Sequence, residues 1–483
     1  MIVQQNRDGE QNLLRLFGLS SLLFFLISST LFAKSFEDFK RTQSSSFTHY
    51  KDVKDKEFSK YLHSSWQEYS AKQTQNFYEK PKPKHTEKTA QRKIKSVGPL
   101  INILLPKAEQ KQKSLSLDKS SQNLHLFYFG QKISLNVDLN IKSAQFYPQN
   151  QTGIVSFFDV LVHSEYEDSL RDIKKITSEL ALNDWGEYLL VKQIAEKLYT
   201  ERDEQRLYIW VILNKLGYDV KVGLSNKHVV LLHWTKQIIY ATSRYSFADK
   251  KYYLLSSYAM GKQPRVYTYK QEYPGANKAL DLSLKTLPSF QEDTHSKTVH
   301  FRQFGVEYPL SYTYDKNLID FLATYPQTDY EIYFNAAFSQ RTCSEIAEGM
   351  KKYLDGKKAS EALNFVLHFV QKAFVYEADQ KQFGREKVMF AYETLYYNKS
   401  DCEDRATLFA FLVQKLFHIS VVGVKYKDHM ATGLNIPMRG DNVHYGMHRY
   451  LIADPTYIDA NIGQSMPKYK LKKPEHFIVL QKD

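Results

Sequence analysis

The sequence predicts a multidomain α+β protein, and three observations carry that reading. Helical runs from about Glu167 to Leu216 and from Thr342 to Phe417 place apolar residues at three- and four-residue spacing. Strand-like stretches lie outside them, among them Leu124–Phe129, Ile133–Leu139 and the alternating Met430–Ile436. Aromatic residues make up 14% of the chain, with 35 Tyr, a content that suits well-populated strands. At 483 residues the chain is long enough for two or three folded units.

Residues 1–33 read as an export signal, with Arg7 and Arg15 near its start and an apolar run from Leu16 to Phe32. Two outcomes stay open. Ala33 is a cleavage position with a poor match at Leu31, and residues 13–33 are also near the lower limit for an uncleaved membrane anchor. The expected location is periplasmic or extracellular.

Residues 34–75 form the next unit. Phe36, Phe47, Phe58 and Tyr69 recur every eleven residues, and Phe39, Tyr50 and Tyr61 follow the first three by three. Eleven residues fit three helical turns almost without drift, so a long helix is expected over 35–72, with Trp66 on its stripe. Its aromatic face needs cover, either a second copy of the chain or the body of the protein. Pro81-Lys82-Pro83-Lys84 then opens a basic linker over 76–120. Between Lys34 and Leu115 there are 18 Lys and Arg against 9 Asp and Glu. Such a stretch solvates a linker and suits contact with a membrane surface or an acidic envelope polymer. No nucleic-acid-binding motif is present.

A β-rich unit is expected over 121–260, with Ile154–Val162 as a third strand, followed by helices broken near Asn183-Asp184-Trp185-Gly186. The segment Leu207–Leu232 resembles Leu408–Leu434 at an ungapped offset of 200, with Lys215-Leu216 and Gly223 matching Lys415-Leu416 and Gly423. In such a repeat Arg202 stands where Cys402 stands, so the first copy has no thiol chemistry. A connecting unit over 261–340 includes strand candidates Thr298–Phe304 and Tyr330–Asn335. The last unit, 341–483, turns helical through Ala359–Phe374, Arg385–Tyr397 and Asp401–Phe417. It ends on strands Ile419–Tyr426, Met430–Ile436, Arg449–Ala453 and Phe477–Leu480, with a loop over about 437–446.

That unit carries the chemistry. Ser400 and Glu403 read as a capping box that puts Cys402 in the first turn of a helix, where unpaired N–H groups favour a thiolate. Cys402, Ala406, Phe409, Val413 and Leu416 share one inward face. His429 opens a strand on its small-residue face, and Asp454 ends another, held extended by Pro455. In the order Cys402, His429, Asp454 these residues read as nucleophile, general base and orienting carboxylate. The Cys402 N–H is the expected first oxyanion donor. Only two cysteines occur, Cys343 and Cys402, so no disulfide framework is expected, and Cys343 reads as structural. His444 and His448 share a strand face without a third ligand, so no metal is expected.

Tyr376, Asp379, Glu393-Thr394-Leu395, Ser400-Asp401-Cys402-Glu403-Asp404, Asp428-His429 and Ala453-Asp454-Pro455-Thr456-Tyr457 together resemble the transglutaminase-like superfamily of papain-like thiol enzymes. Ser400 departs from the usual Gly of that motif, and the resemblance covers about Ala359 to Leu480. It implies one helix packed on an antiparallel sheet, a triad at Cys402, His429 and Asp454, and acyl chemistry without a cofactor. The implied substrate is a peptide or protein amide, with hydrolysis favoured over transfer to an amine. The rival expectation is a non-catalytic module on the same fold that binds a peptide or wall polymer.

Overall fold

The computed structural model describes residues 53–64, 66–72, 74–76, 82–103, 105, 123–255 and 264–481. Residues 1–33, the expected export signal, lie outside them, as do residues 35–52 of the aromatic stripe. Among the described residues no helix is long and apolar enough to cross a membrane.

Contacts divide the chain at residue 65 into two compact units. In the first, residues 53–62 form helix α1, on which the rings of Phe58 and Tyr61 stack 6.4 Å apart. The second unit opens with strand β1 (Trp66–Ser70), so the helix expected to reach residue 72 stops ten residues short. Sheet pairing overrides the eleven-residue period there, because Trp66 finds Tyr269 edge-on across the sheet at 5.3 Å.

A hairpin of β2 (Leu124–Tyr128) and β3 (Gln131–Leu135) is followed by helices α2 (Gln151–Val162), α3 (Tyr166–Glu179), α4 (Asp184–Leu198) and α5 (Arg202–Lys215). The strand expected at Ile154–Val162 is therefore helical. The Asn150 side chain caps that helix by accepting from Thr152 N–H at 2.9 Å, and Ile154, Phe157, Phe158 and Leu161 all turn inward. A short apolar run fits either period, and the cap decides. Asn183 likewise accepts from Gly186 N–H at 3.1 Å and starts α4 at the expected break.

Strands β4 (Val220–Ser225), β5 (His228–Trp234), β6 (Arg244–Phe247), β7 (Lys250–Leu254) and β8 (Arg265–Tyr269) come next. With β1 they build an antiparallel sheet in the order β1-β8-β4-β5-β7-β6. A long hairpin, β9 (Thr294–Gln303) and β10 (Val306–Asp315), leads to helices α6 (Lys316–Ala323), α7 (Tyr330–Phe334), α8 (Gln340–Leu354) and α9 (Ala359–Lys372). The strand expected at Tyr330–Asn335 is thus α7, whose Ile332, Tyr333 and Phe334 are all buried, a demand that one strand face cannot meet.

Short pieces follow: β11 (Val375–Tyr376), α10 (Asp379–Gln382), α11 (Ala391–Tyr396) and β12 (Lys399–Ser400). They deliver the chain to α12 (Cys402–Phe417), which is buried on almost every side. Strands β13 (Val421–Tyr426), β14 (His429–Leu434), β15 (Asn442–Tyr445), β16 (His448–Ala453) and β17 (His476–Val479) form an antiparallel sheet in the order β15-β16-β14-β13-β17. Within the expected loop over 437–446, residues 442–445 pair with β16.

The two segments related by sequence spacing build the same topology. A helix precedes five strands whose spatial order, β6-β7-β5-β4-β8, matches β15-β16-β14-β13-β17 one for one. In both, the helix packs on the two central strands. The offset is 200 at the helix starts, Arg202 and Cys402, and 201 in the hairpins, where Ser225 faces His228 and Tyr426 faces His429. The ungapped offset is corrected accordingly: the helix of the second copy is 16 residues long against 14, and its connection to the sheet is one residue shorter.

Part of the expected linker is attached to the fold, while most of its described residues stay exposed. Over residues 82–103 the chain is a strap laid along the C-terminal third, with bridges from Lys88 to Ile458 and from Leu100 to Lys358. Ile103 is buried and its N–H donates to Asp355 at 2.9 Å. Backbone donors that find partners this regularly belong to packed structure.

Candidate active site

The helix bearing the thiol starts one residue later than its cap predicts. Asp401 is the N-cap, and its N–H donates to Asp404 Oδ2 at 3.1 Å, so Ser400 and Glu403 are not the capping pair. Ser400 has another task. Its buried hydroxyl accepts from Arg405 Nε at 3.1 Å, while the same guanidinium donates to the carbonyls of Gln371 and Phe374. A glycine there would leave that donor unmet.

His429 and Asp454 are brought together as expected. His429 Nε2 lies 2.8 Å from Asp454 Oδ2, and both side chains are fully buried. The other carboxylate oxygen accepts from the N–H groups of Thr456 (2.9 Å) and Tyr457 (3.2 Å). The turn after β16 thereby fixes the carboxylate, and the carboxylate fixes the ring. Tyr469 stacks flat on the imidazole at 4.7 Å, and its hydroxyl donates to Asp428 at 3.0 Å. The neighbouring Asp428 thus positions the ring that covers His429.

Cys402 is the first residue of α12, and β14, which begins with His429, packs against that helix. The thiol donates to Glu403 Oε2 at 3.1 Å, a partner that the helical pattern had assigned only to capping. Neither cysteine is in a disulfide, and both are buried. Burial pushes the Cys343 thiol up to about 11.

The expected thiolate is not what these surroundings favour. Burial, then the negative fields of Glu403 and Asp401, push the Cys402 thiol well above its ordinary value, and the charge of Lys82 only partly opposes them. The helix N-terminus is outweighed by the carboxylates packed around it. In this closed arrangement Cys402 carries its proton, and its side chain is 0% exposed.

Those carboxylates form a slot. Lys82 Nζ from the strap lies 2.9 Å from Asp379 Oδ2, 2.7 Å from Glu403 Oε1 and 2.6 Å from Glu386 Oε1, and it also pairs with Asp401. Burial works to lower the Lys82 ammonium, but Asp401, Glu403 and Asp379 hold it well above its usual range. Desolvation raises Asp379 to about 6 and Glu386 to about 7. Against the same desolvation, the Lys82 charge and hydrogen bonds from Asp401, Lys82 and Cys402 keep Glu403 low.

Three overlapping sets, Asp401-Cys402-Glu403, Asp379-Glu386-Glu403 and Asp379-Asp401-Asp404, have ligand atoms within 4.8 Å of one another. Such spacing suits a cation, and the cation held there is an ammonium. Lys82 was missed because it lies 319 residues before Asp401, and its only signal was an isolated Pro-Lys-Pro-Lys.

A separate cleft of about 660 Å³, lined by Asn183, Asp184, Trp234, Gln237, Lys278 and Asp281, opens beside the first helix–sheet copy, away from the thiol. No family model, no curated protein and no solved structure matches this chain.

Proposed function

We propose that the protein is an exported cysteine acyl enzyme on a papain-like, transglutaminase-like C-terminal fold, seen with its site closed. It acts on peptide or protein amides. The observation that carries this reading is the buried His429–Asp454 pair at 2.8 Å, with His429 opening the strand that packs against the helix beginning with Cys402. A carboxylate doubly tied by backbone N–H groups and aimed at an imidazole is what a general base requires.

In the proposed reaction His429 takes the thiol proton as sulfur attacks the amide carbonyl, and a tetrahedral intermediate forms. Collapse breaks the C–N bond, the imidazolium protonates the leaving amine, and a thioester remains. Water, with His429 again as base, releases the acid and regenerates the thiol. Hydrolysis is preferred to transfer, because the amine of Lys82, set among the carboxylates beside the thiol, is held as an ammonium.

One observation favours the rival reading of a binding module: the thiol is sealed and protonated. Comparing peptide ends and isopeptide links in envelope proteins, with and without Cys402→Ala, separates the readings. New ends that require Cys402 mean hydrolysis and new links mean transfer. No difference in either leaves the binding module.

A further inference from the structure

The slot that holds Lys82 is over-supplied with acid for its one guest. Four carboxylates surround a single ammonium, whose side chain is only 4% exposed. Asp379 Oδ1 and Asp401 Oδ1 are buried there without a hydrogen-bond partner among the described residues. Leaving buried carboxylate oxygens unmet is costly, so an arrangement that retains several of them is more than an N-cap. Asp379 is itself held in place, since its Oδ2 accepts from the Lys387 N–H at 3.0 Å.

The strap that delivers Lys82 is bound as a peptide ligand would be. Tyr376 donates its hydroxyl to Pro83 O at 2.7 Å, Ile458 N–H donates to Glu87 O at 2.9 Å, and Thr89 N–H donates to Ile458 O at 3.0 Å. Gln91 then reaches Asp459 at 2.8 Å, and Asn461 reaches Arg92 O at 2.9 Å. Main-chain hydrogen bonds along an extended segment, with one side chain in a dedicated pocket, are the signature of peptide recognition. This segment runs between the turn that follows Asp454 and the N-terminus of the thiol helix.

We propose that the slot formed by Asp379, Glu386, Asp401 and Glu403 is a subsite for a primary ammonium group, the side chain of a lysine in a peptide substrate. Residues 82–92 occupy it in cis. The inference rests on the acyl-enzyme reading for the word substrate, but lysine binding itself does not require turnover. The ammonium is a recognition handle and not an acyl acceptor, because every group around it keeps it protonated. Opening the site means exchanging Lys82 for the lysine of another chain.

The test uses the full chain carrying Lys82→Ala. Iodoacetamide labels Cys402 about tenfold or more faster in this variant than in the native protein, while Cys343 labelling is unchanged. In a second protein, Lys82→Ala with Cys402→Ala, the peptide acetyl-Pro-Lys-Pro-Lys-His-Thr-amide binds about tenfold or more tighter than the analogue with norleucine for the first lysine. Free lysine and butylamine, run as competitors, separate a peptide subsite from a site for any small amine. Glu386→Gln, a substitution at the partly exposed rim, weakens the lysine preference without emptying the core of the slot. Equal binding of the lysine and norleucine peptides overturns the proposal, as does Cys402 labelling that ignores Lys82. A lysine preference without any amide turnover upholds the subsite and removes the acyl-enzyme reading.

Discussion

The first helix–sheet copy and the second share strand order, pairing sense and helix placement, yet only one of them gathers reactive groups. Arg202 opens α5 where Cys402 opens α12, and the two hairpins put His228 and His429 at the same place. His228 is exposed and leans on Asp203 at 3.2 Å, whereas His429 is buried against Asp454 and covered by Tyr469. The scaffold therefore supplies positions, and the neighbours decide whether a position becomes a site. A histidine at a hairpin start is a surface residue until a turn and an aromatic ring close over it.

Substitutions at matched positions sharpen the contrast. On the proposed acyl-enzyme reading, Cys402→Ala is expected to lower amide turnover by about a thousandfold or more and Arg202→Ala to stay within about twofold, with one peptide substrate as the assay. Equal effects at the two helix starts would erase the distinction between the copies. Next in size is the imidazole pair. Asp454→Ala leaves a buried ring without its partner and costs about 3–5 kcal/mol in chemical unfolding. Removing His228, whose pairing with Asp203 is half in water, costs under about 1 kcal/mol.

At the residues two before each helix start, Ser400→Ala strands the buried Arg405 Nε and costs about 1–3 kcal/mol. Its counterpart Thr200 is exposed, and Thr200→Ala stays within about 0.5 kcal/mol.

The remaining contrast is one of pH, and the two effects run in opposite directions. Burial lowers His233 in the first copy from 6.5 to about 3, so the folded state binds its proton more weakly than the unfolded chain does. Its contribution is intact above pH 6.5 and drains away as pH falls towards 3. Beside the second copy, desolvation raises Glu386 from 4.5 to about 7, so the folded state holds that proton more tightly. Its contribution is present below pH 4.5 and is lost as pH rises through 7. Thermal melts of His233→Leu therefore lose part of their acid slope, and those of Glu386→Gln lose part of the slope towards neutrality.

Much of the second copy was legible because its information is local. The helix Cys402–Phe417, the strands around it, and the order Cys402, His429, Asp454 are all written within about fifty residues. Ile154–Val162 and Tyr330–Phe334 misled because short runs of large apolar residues satisfy either period once both faces are buried. The eleven-residue aromatic stripe misled in another way, since its last members pair with a strand 200 residues onward. Lys82 was beyond reach of any pattern. Its meaning depends on four carboxylates about 300 residues away, and no periodicity encodes such a meeting.

That separation has a temporal side. Ribosomes make Lys82 long before Asp379, Glu386, Asp401 and Glu403 exist, so the plug is already present when its socket emerges. The thiol is then shielded from the moment its helix docks. If the slot takes a substrate lysine as proposed, Lys82 must leave it after folding is complete.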